Sequence, residues 1–229
     1  WGPFNHTGLR ADFDLGGGLV AKLAVMNPTD LVEFNPVNTY TLGGQFGYAN
    51  DGGSIYFNVL YGDQDGTLDE NDPNISSGDT SEGSTLALDV TTGWSLSDAF
   101  YLGINTTYRT KAAGETFSGS SIVDTNEDSN GFLGFAVYPK LTLSESFALG
   151  LRAEYFQTSK YYLNGVIGLD AEGTGSVTAF TLSGNYTTGG LTLIPELRFD
   201  SASEDSFADK DYQASKSLAT FNLAAVYKF

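Results

Sequence analysis

Apolar and polar residues alternate with a period of two along most of the chain, as in strands whose two faces meet different surroundings. In 9-LRADFDL-15, Leu9, Ala11, Phe13 and Leu15 share one face, and Arg10, Asp12 and Asp14 take the other. In 19-LVAKLAV-25, Leu19, Ala21, Leu23 and Val25 oppose Val20, Lys22 and Ala24. The alternation returns over 55–61, over 86–94 with Asp89 on the polar side, and over 100–109 with Asn105, Thr107 and Arg109 there. It continues over 133–141 with Lys140, over 147–155 with Arg152 and Glu154, and over 191–200 with Glu196, Arg198 and Asp200. Two glycine-richer stretches, 39–48 and 177–186, and a final one, 217–229, fit the same pattern. No helical period competes with it. About eleven strands are expected, most near the ~9–11 residues that a tilted strand needs to cross a bilayer.

The connections between these strands alternate in length. Short ones fall at 15–18, 49–53, 95–98, 143–146 and 187–190, with the Gly, Asn, Asp and Ser of tight hairpins. Long ones fall near 27–38, 62–83, 110–131, 158–176 and 201–216. No charged residue sits on the apolar face of these stretches, where a charge at mid-membrane would cost roughly 2–4 kcal/mol. Aromatic residues mark the strand ends: Tyr40, Tyr48, Tyr61, Trp94, Phe100, Tyr108, Phe147 and Tyr155. These features predict an all-β fold, a transmembrane antiparallel up-and-down β-barrel with aromatic girdles. A soluble β-sandwich also alternates, but its strands run nearer ~5–6 residues and its loops are not sorted by length.

Composition narrows the chemistry. The 229 residues hold no cysteine, one histidine and one methionine, which removes disulfides and thiolate metal sites. Eleven basic residues against 28 acidic ones give a net charge of −17, which excludes a nucleic-acid footprint. No run of about 18 apolar residues offers a transmembrane helix. His6, the single histidine, has no nucleophile or carboxylate beside it in sequence, and no phosphate loop or zinc spacing occurs, so an enzyme is not expected.

The predicted channel-lining charges are Arg10, Asp12, Asp14, Lys22, Asp89, Arg109, Lys140, Arg152, Glu154, Glu196 and Arg198, joined by Asp200 and Lys228. Two readings stand side by side. The charges set ion selectivity in a pore, or they brace the wall through ion pairs. Arg152 with Glu154, and Glu196 with Arg198, have the two-residue spacing that bracing needs. The 28 glycines, several on the polar face, suggest room inside. Most of the negative charge lies in the long connections, where it would concentrate cations at the mouth or hold divalent ions shared with lipopolysaccharide. One of these stretches, 63-DQDGTLDEND-72, carries Asp63, Asp65, Asp69 and Asp72 at offsets near those of a calcium loop. The position of the first ligand is Tyr61, the last is Asp rather than Glu, and no helices flank it. A solvated acidic loop is the competing reading, and loop-bound calcium is the one cofactor left open.

Direction follows from the loop sorting. The last strand comes after a long connection and ends at Phe229, and Phe221, Leu223, Tyr227 and Phe229 resemble the C-terminal signal of barrel assembly. The long loops are therefore expected outside the cell and the C-terminus in the periplasm. The first strand would also start outside, and bacterial barrels of this kind have an even strand number. The expectation is one barrel domain over residues 1–229, with an N-terminal strand or strands missing and at least twelve strands when complete. Three stretches, 6-HTGLRADFDLGGGLVAKLAVMN-27, 39-TYTLGGQFGY-48 and 54-SIYFNVLYGDQD-65, resemble the central hairpins of the OmpL-like outer-membrane β-barrel porin family common in Bacteroidetes-type bacteria. So does the hairpin 133-LGFAVYPKLTLSESFALGLRAEYF-156. The resemblance implies a pore of the bacterial outer membrane, members longer at the N-terminus, and no catalytic motif. The expected partners are outer-membrane lipid and lipopolysaccharide and small polar solutes or ions, with an oligomer or envelope-complex partner left open. The alternative to a pore is a side-chain-plugged barrel serving as a structural subunit of an envelope complex.

Overall fold

A computed structural model describes residues 5–29, 32, 39–63, 84–112, 115–118, 121–124, 129–162 and 165–229. The first strands are β1 (Gly8–Gly16), β2 (Leu19–Met26), β3 (Thr41–Asn50), β4 (Gly53–Gly62), β5 (Thr85–Ser95) and β6 (Phe100–Lys111). A short hairpin, β7 (Glu115–Ser118) and β8 (Ser121–Asp124), stands apart. Then come β9 (Asn130–Ser144), β10 (Phe147–Ser159), β11 (Gly175–Thr188) and β12 (Leu191–Ala202). A two-residue hairpin of β13 (Phe207–Ala208) and β14 (Ala214–Ser215) precedes β15 (Ser217–Tyr227). Eleven of these strands form one antiparallel sheet in the order β1-β2-β3-β4-β5-β6-β9-β10-β11-β12-β15. Every neighbour in the sheet is also the next long strand in sequence, so it is a meander, and the alternation of short and long connections holds throughout.

Register couples like with like. Along one row, Leu23 faces Gly44, Val59, Leu88, Tyr108 and Leu133 in turn across five strand pairs. One residue away, Lys22 leads to Gln45, Asn58, Asp89 and Thr107. A slip by one residue would carry every apolar side chain to the opposite face, so the pattern itself pins the register.

The two faces differ in crowding, and in the reverse sense to a soluble protein. On the apolar face Leu23 is 61 % exposed and Leu197 59 %, whereas on the polar face Glu154 is 7 % and Asp200 6 % exposed. Side chains crowd on the inside of a curved sheet and splay on the outside, so the polar face is the concave one. Among the described residues the buried apolar side chains are few: Phe132, Phe156 and four alanines. The sheet suits a surrounding that is itself apolar, where each backbone group must be paired in the ladder.

Glycine has a more specific role here than making room. Gly93 and Gly103 face each other on β5 and β6, and the ring of Tyr101 lies over them. Gly47 is covered in the same way by the ring of Tyr56. A Cβ at Gly93 or Gly47 would run into these rings. These glycines are seats for tyrosines that lie flat on the wall, and the space expected from them is filled. At the β1–β2 turn, Gly16, Gly17 and Gly18 take φ of +81°, +62° and +87°, a left-handed run that residues with a Cβ resist. Aromatic side chains sit at the ends of the strands. Near the short turns Tyr48 and Trp94 stack with centroids 6.4 Å apart, and Tyr40, Tyr61 and Tyr108 stand exposed at the other end.

Candidate functional site

The polar face carries three groups of side chains, each held by strands that register sets side by side. The first is centred on Asp89 of β5. Its Oδ1 accepts from Asn58 Nδ2 at 2.8 Å and from Thr91 Oγ1 at 3.2 Å. Its Oδ2 accepts from Asn105 Nδ2 at 2.9 Å and Thr107 Oγ1 at 2.8 Å. The chain of bonds runs on to β3, where Gln45 Nε2 donates to Asn58 Oδ1 at 2.6 Å. Four neutral donors thus solvate one carboxylate, and each bond contributes about 1 kcal/mol net, more when one partner is charged. The sequence marked Asp89 alone; Gln45, Asn58, Asn105 and Thr107 carried only the signal of their parity.

The second group is an ion-pair ladder on β10 and β12. Glu154 accepts from Arg152 on its own strand and from Arg198 Nη1 at 3.2 Å across the sheet. Arg198 also grips Asp200, with Nη2 to Oδ1 at 2.7 Å and Nε to Oδ2 at 2.9 Å. Ala179 lies in the row between Glu154 and Asp200, and its small side chain leaves the guanidinium free to reach across β11. Arg152 stacks on Tyr138, its guanidinium carbon 5.6 Å from the ring centroid. The pairing expected between Glu196 and Arg198 is not made. Asp200 stands at the same two-residue spacing on the other side, and Arg198 turns that way, where it reaches two carboxylates, Asp200 and Glu154, rather than one.

The third group lies where β6, β9 and β10 reach the long-connection end. Phe132 packs on Phe156 with centroids 5.6 Å apart, and on Tyr162 at 5.9 Å. The guanidinium of Arg109 lies 5.9 Å from the Tyr162 centroid, and its Nε is buried without a hydrogen-bond partner. The polar face is therefore partly apolar at this end, a departure from strict alternation. The connection from β10 to β11 is folded on itself beside this cluster: Tyr161 N donates to Gly173 O at 2.9 Å and its hydroxyl to Ala171 O at 2.7 Å. Gly168 N donates to Ser206 Oγ at 2.9 Å, tying this connection to the next long one.

The remaining expected residues are spread out. Arg10 pairs with Asp12 at 3.0 Å on the exposed β1, and Asp14 Oδ1 accepts from Gly16 N at 2.9 Å to shape the turn. Lys22, Lys140 and Glu196 lie on the polar face, and none of them forms an ion pair among the described residues. Of the calcium candidates only Asp63 is described, where its carbonyl accepts from Thr39 Oγ1 at 3.0 Å; Asp65, Asp69 and Asp72 lie outside the described residues. Among the described residues no group of three or more acidic or histidine side chains gathers to hold a metal. His6 is exposed ahead of β1.

Comparison with known proteins adds a family. The model of the family described as beta-barrel porin-2, OmpL-like, matches residues 1–229. No curated protein matches the chain. Among solved structures, the outer membrane channel DcaP of Acinetobacter baumannii superposes with a TM-score of 0.64 at 15 % identity, over 97 % of this chain and 62 % of that one. OmpT, an outer membrane protein of Vibrio cholerae, superposes with a TM-score of 0.54 at 11 % identity, over 96 % of this chain and 63 % of that one. The chain thus spans less than two thirds of the length of either. At these identities the likeness is one of fold.

Proposed function

The chain belongs to the OmpL-like beta-barrel porin-2 family, and from that premise we propose that its sheet is the greater part of a barrel wall enclosing a channel for passive diffusion of small polar solutes or ions across the outer membrane. The observation that carries the reading is the inverted burial. Leu, Phe and Tyr are exposed on the convex side, while Glu154, Asp200, Thr181 and Thr107 crowd the concave side. A lipid-embedded wall around water needs that arrangement. The ladder strands β1 and β15 at the two edges run in the same direction, since ten antiparallel steps separate them. They cannot close on each other as an antiparallel pair. All-antiparallel closure takes an odd number of further strands, at least twelve in all, and barrels near 16 strands leave an aqueous lumen. In this reading Arg10, Asp12, Asp14, Lys22, Asp89, Arg109, Lys140, Arg152, Glu154, Glu196 and Arg198 face the lumen. The long connections face outward from the cell, near lipopolysaccharide, and the chain end after β15 faces the periplasm. Calcium bound by the acidic residues Asp63, Asp65, Asp69 and Asp72 would be an accessory to the pore.

The cluster of Phe132, Phe156 and Tyr162 supports a second reading, a barrel filled at its outer end that serves as a structural subunit of an envelope complex. Conductance separates the two. Full-length protein in a planar bilayer is expected to show discrete steps in KCl. A protein that inserts but stays silent would replace the channel with the scaffold.

A further inference from the structure

One part of the polar face is carved rather than filled. Gly150 and Ser183 are paired on β10 and β11, and no long side chain stands on either. They form the floor of a recess of about 370 Å³. Tyr101 and Tyr138 wall one side of it, and Arg152 and Arg198 line it toward the ladder. Thr181 and Asn185 add a hydroxyl and an amide.

The charges at the two ends of this recess are opposite and unspent. Lys140 faces Gly150, and Ser183 faces Glu196, so the row reads Lys140, Gly150, Ser183, Glu196. Three strand spacings of ~4.8 Å put the two end backbones about 14 Å apart. Neither Lys140 nor Glu196 forms an ion pair or a hydrogen bond through its side chain among the described residues. The neighbouring guanidiniums of Arg152 and Arg198 are already matched by Glu154 and Asp200. The recess is therefore close to neutral overall yet polarised along its length. A net anion would meet the carboxylate of Glu196, and a net cation would meet Lys140 and two guanidiniums. A solute carrying both charges meets a partner at each end.

We propose that this recess is a subsite for small zwitterionic solutes, of the amino acid or short peptide class, with the solute carboxylate at Lys140 and its ammonium group at Glu196. The subsite rests on the channel reading above and deepens it by naming a solute class. The tyrosine rings supply apolar contact for the part of the solute between its charges, and the amide and hydroxyl groups bind its peptide unit.

Four compounds of nearly one size separate the charge classes: L-alanyl-L-alanine, its N-acetyl derivative (anion), its amide (cation) and its N-acetyl amide (neutral). Full-length protein is reconstituted in a planar bilayer, and interruption of the KCl current is recorded against the concentration of each compound at pH 7. The zwitterion is expected to interrupt the current at the lowest concentration. Lys140→Gln and Glu196→Gln each weaken that effect roughly ten-fold or more, the loss of one charged hydrogen bond, and leave the neutral compound unchanged. Ser183→Phe fills the floor without altering charge and removes the effect. An open channel that the zwitterion interrupts no better than the neutral compound overturns the subsite while the channel stands. So does one that the anion interrupts best. A silent barrel overturns the channel instead, and saturation-transfer NMR of the same four compounds with detergent-solubilised protein then decides the subsite, with no preference for the zwitterion overturning it.

Discussion

Glu154 sits between two guanidinium groups, 6 % exposed at its side chain, with Arg152 on one oxygen and Arg198 on the other. Glu154→Gln keeps the shape and removes the charge, leaving Arg152 with its tyrosine alone and Arg198 with Asp200. Breaking a buried pair costs about 3–5 kcal/mol, but the arginines are 40 % and 29 % exposed, so solvent recovers much of it and about 1–2 kcal/mol is expected. Urea unfolding of the protein in lipid vesicles measures the change, and an unshifted midpoint would mean the ladder braces nothing. The seated tyrosines give a sharper case. Gly93→Ala pushes a methyl into the ring of Tyr101 and is expected to cost about 1–3 kcal/mol. Adding Tyr101→Ala should return most of that, because the clash needs both partners. Additive losses in the double variant would show that the ring does not rest on Gly93.

At the scale of the strand, each position has a side and a neighbour, and parity settles only the first. Val90 points to the convex face of β5 and Thr91 to the concave one. Val90→Arg is expected to lose roughly 2–4 kcal/mol in vesicles, while Thr91→Arg stays within about 1 kcal/mol. Equal losses would count against a lipid-facing convex side. The eleven strands, their alternation and the sorting of their connections could be read from the sequence because a period of two needs no partner to be seen. The contacts across strands could not. Arg198 and Glu154 stand 44 residues apart, and nothing in either stretch tells which rung they share. Spacing alone left Arg198 between Glu196 and Asp200, each two residues away, and the register that brings Glu154 within reach on the Asp200 side decided between them. The glycines misled for the same reason: Gly93 is open or covered depending on where Tyr101 of the next strand lies. The cluster of Phe132, Phe156 and Tyr162 broke the inward rule of polarity, since at the long-connection end a connection, here through Tyr162, covers the face.

Across the whole molecule, charge is distributed by role. The ladder cancels itself, with two guanidiniums matched to two carboxylates. The chain nonetheless carries 28 acidic against 11 basic residues. Most of that surplus falls in the long connections, which the channel reading places around the outer mouth. Selectivity from such a source acts through solvent, so salt screens it: the Debye length falls from about 10 Å at 0.1 M to about 3 Å at 1 M. The reversal potential across a bilayer is therefore expected to show cation preference in a 0.1 M KCl gradient and little preference near 1 M. Replacing Asp63, Asp65, Asp69 and Asp72 with Asn should lower the preference at low salt only. Replacing Arg152 and Glu154 together with Gln should scarcely move it, because the ladder then loses one charge of each sign and stays neutral. A preference that ignores salt would place selectivity at contact distance in the wall, and the unpaired Asp89 with its four neutral donors would then be the residue to change first.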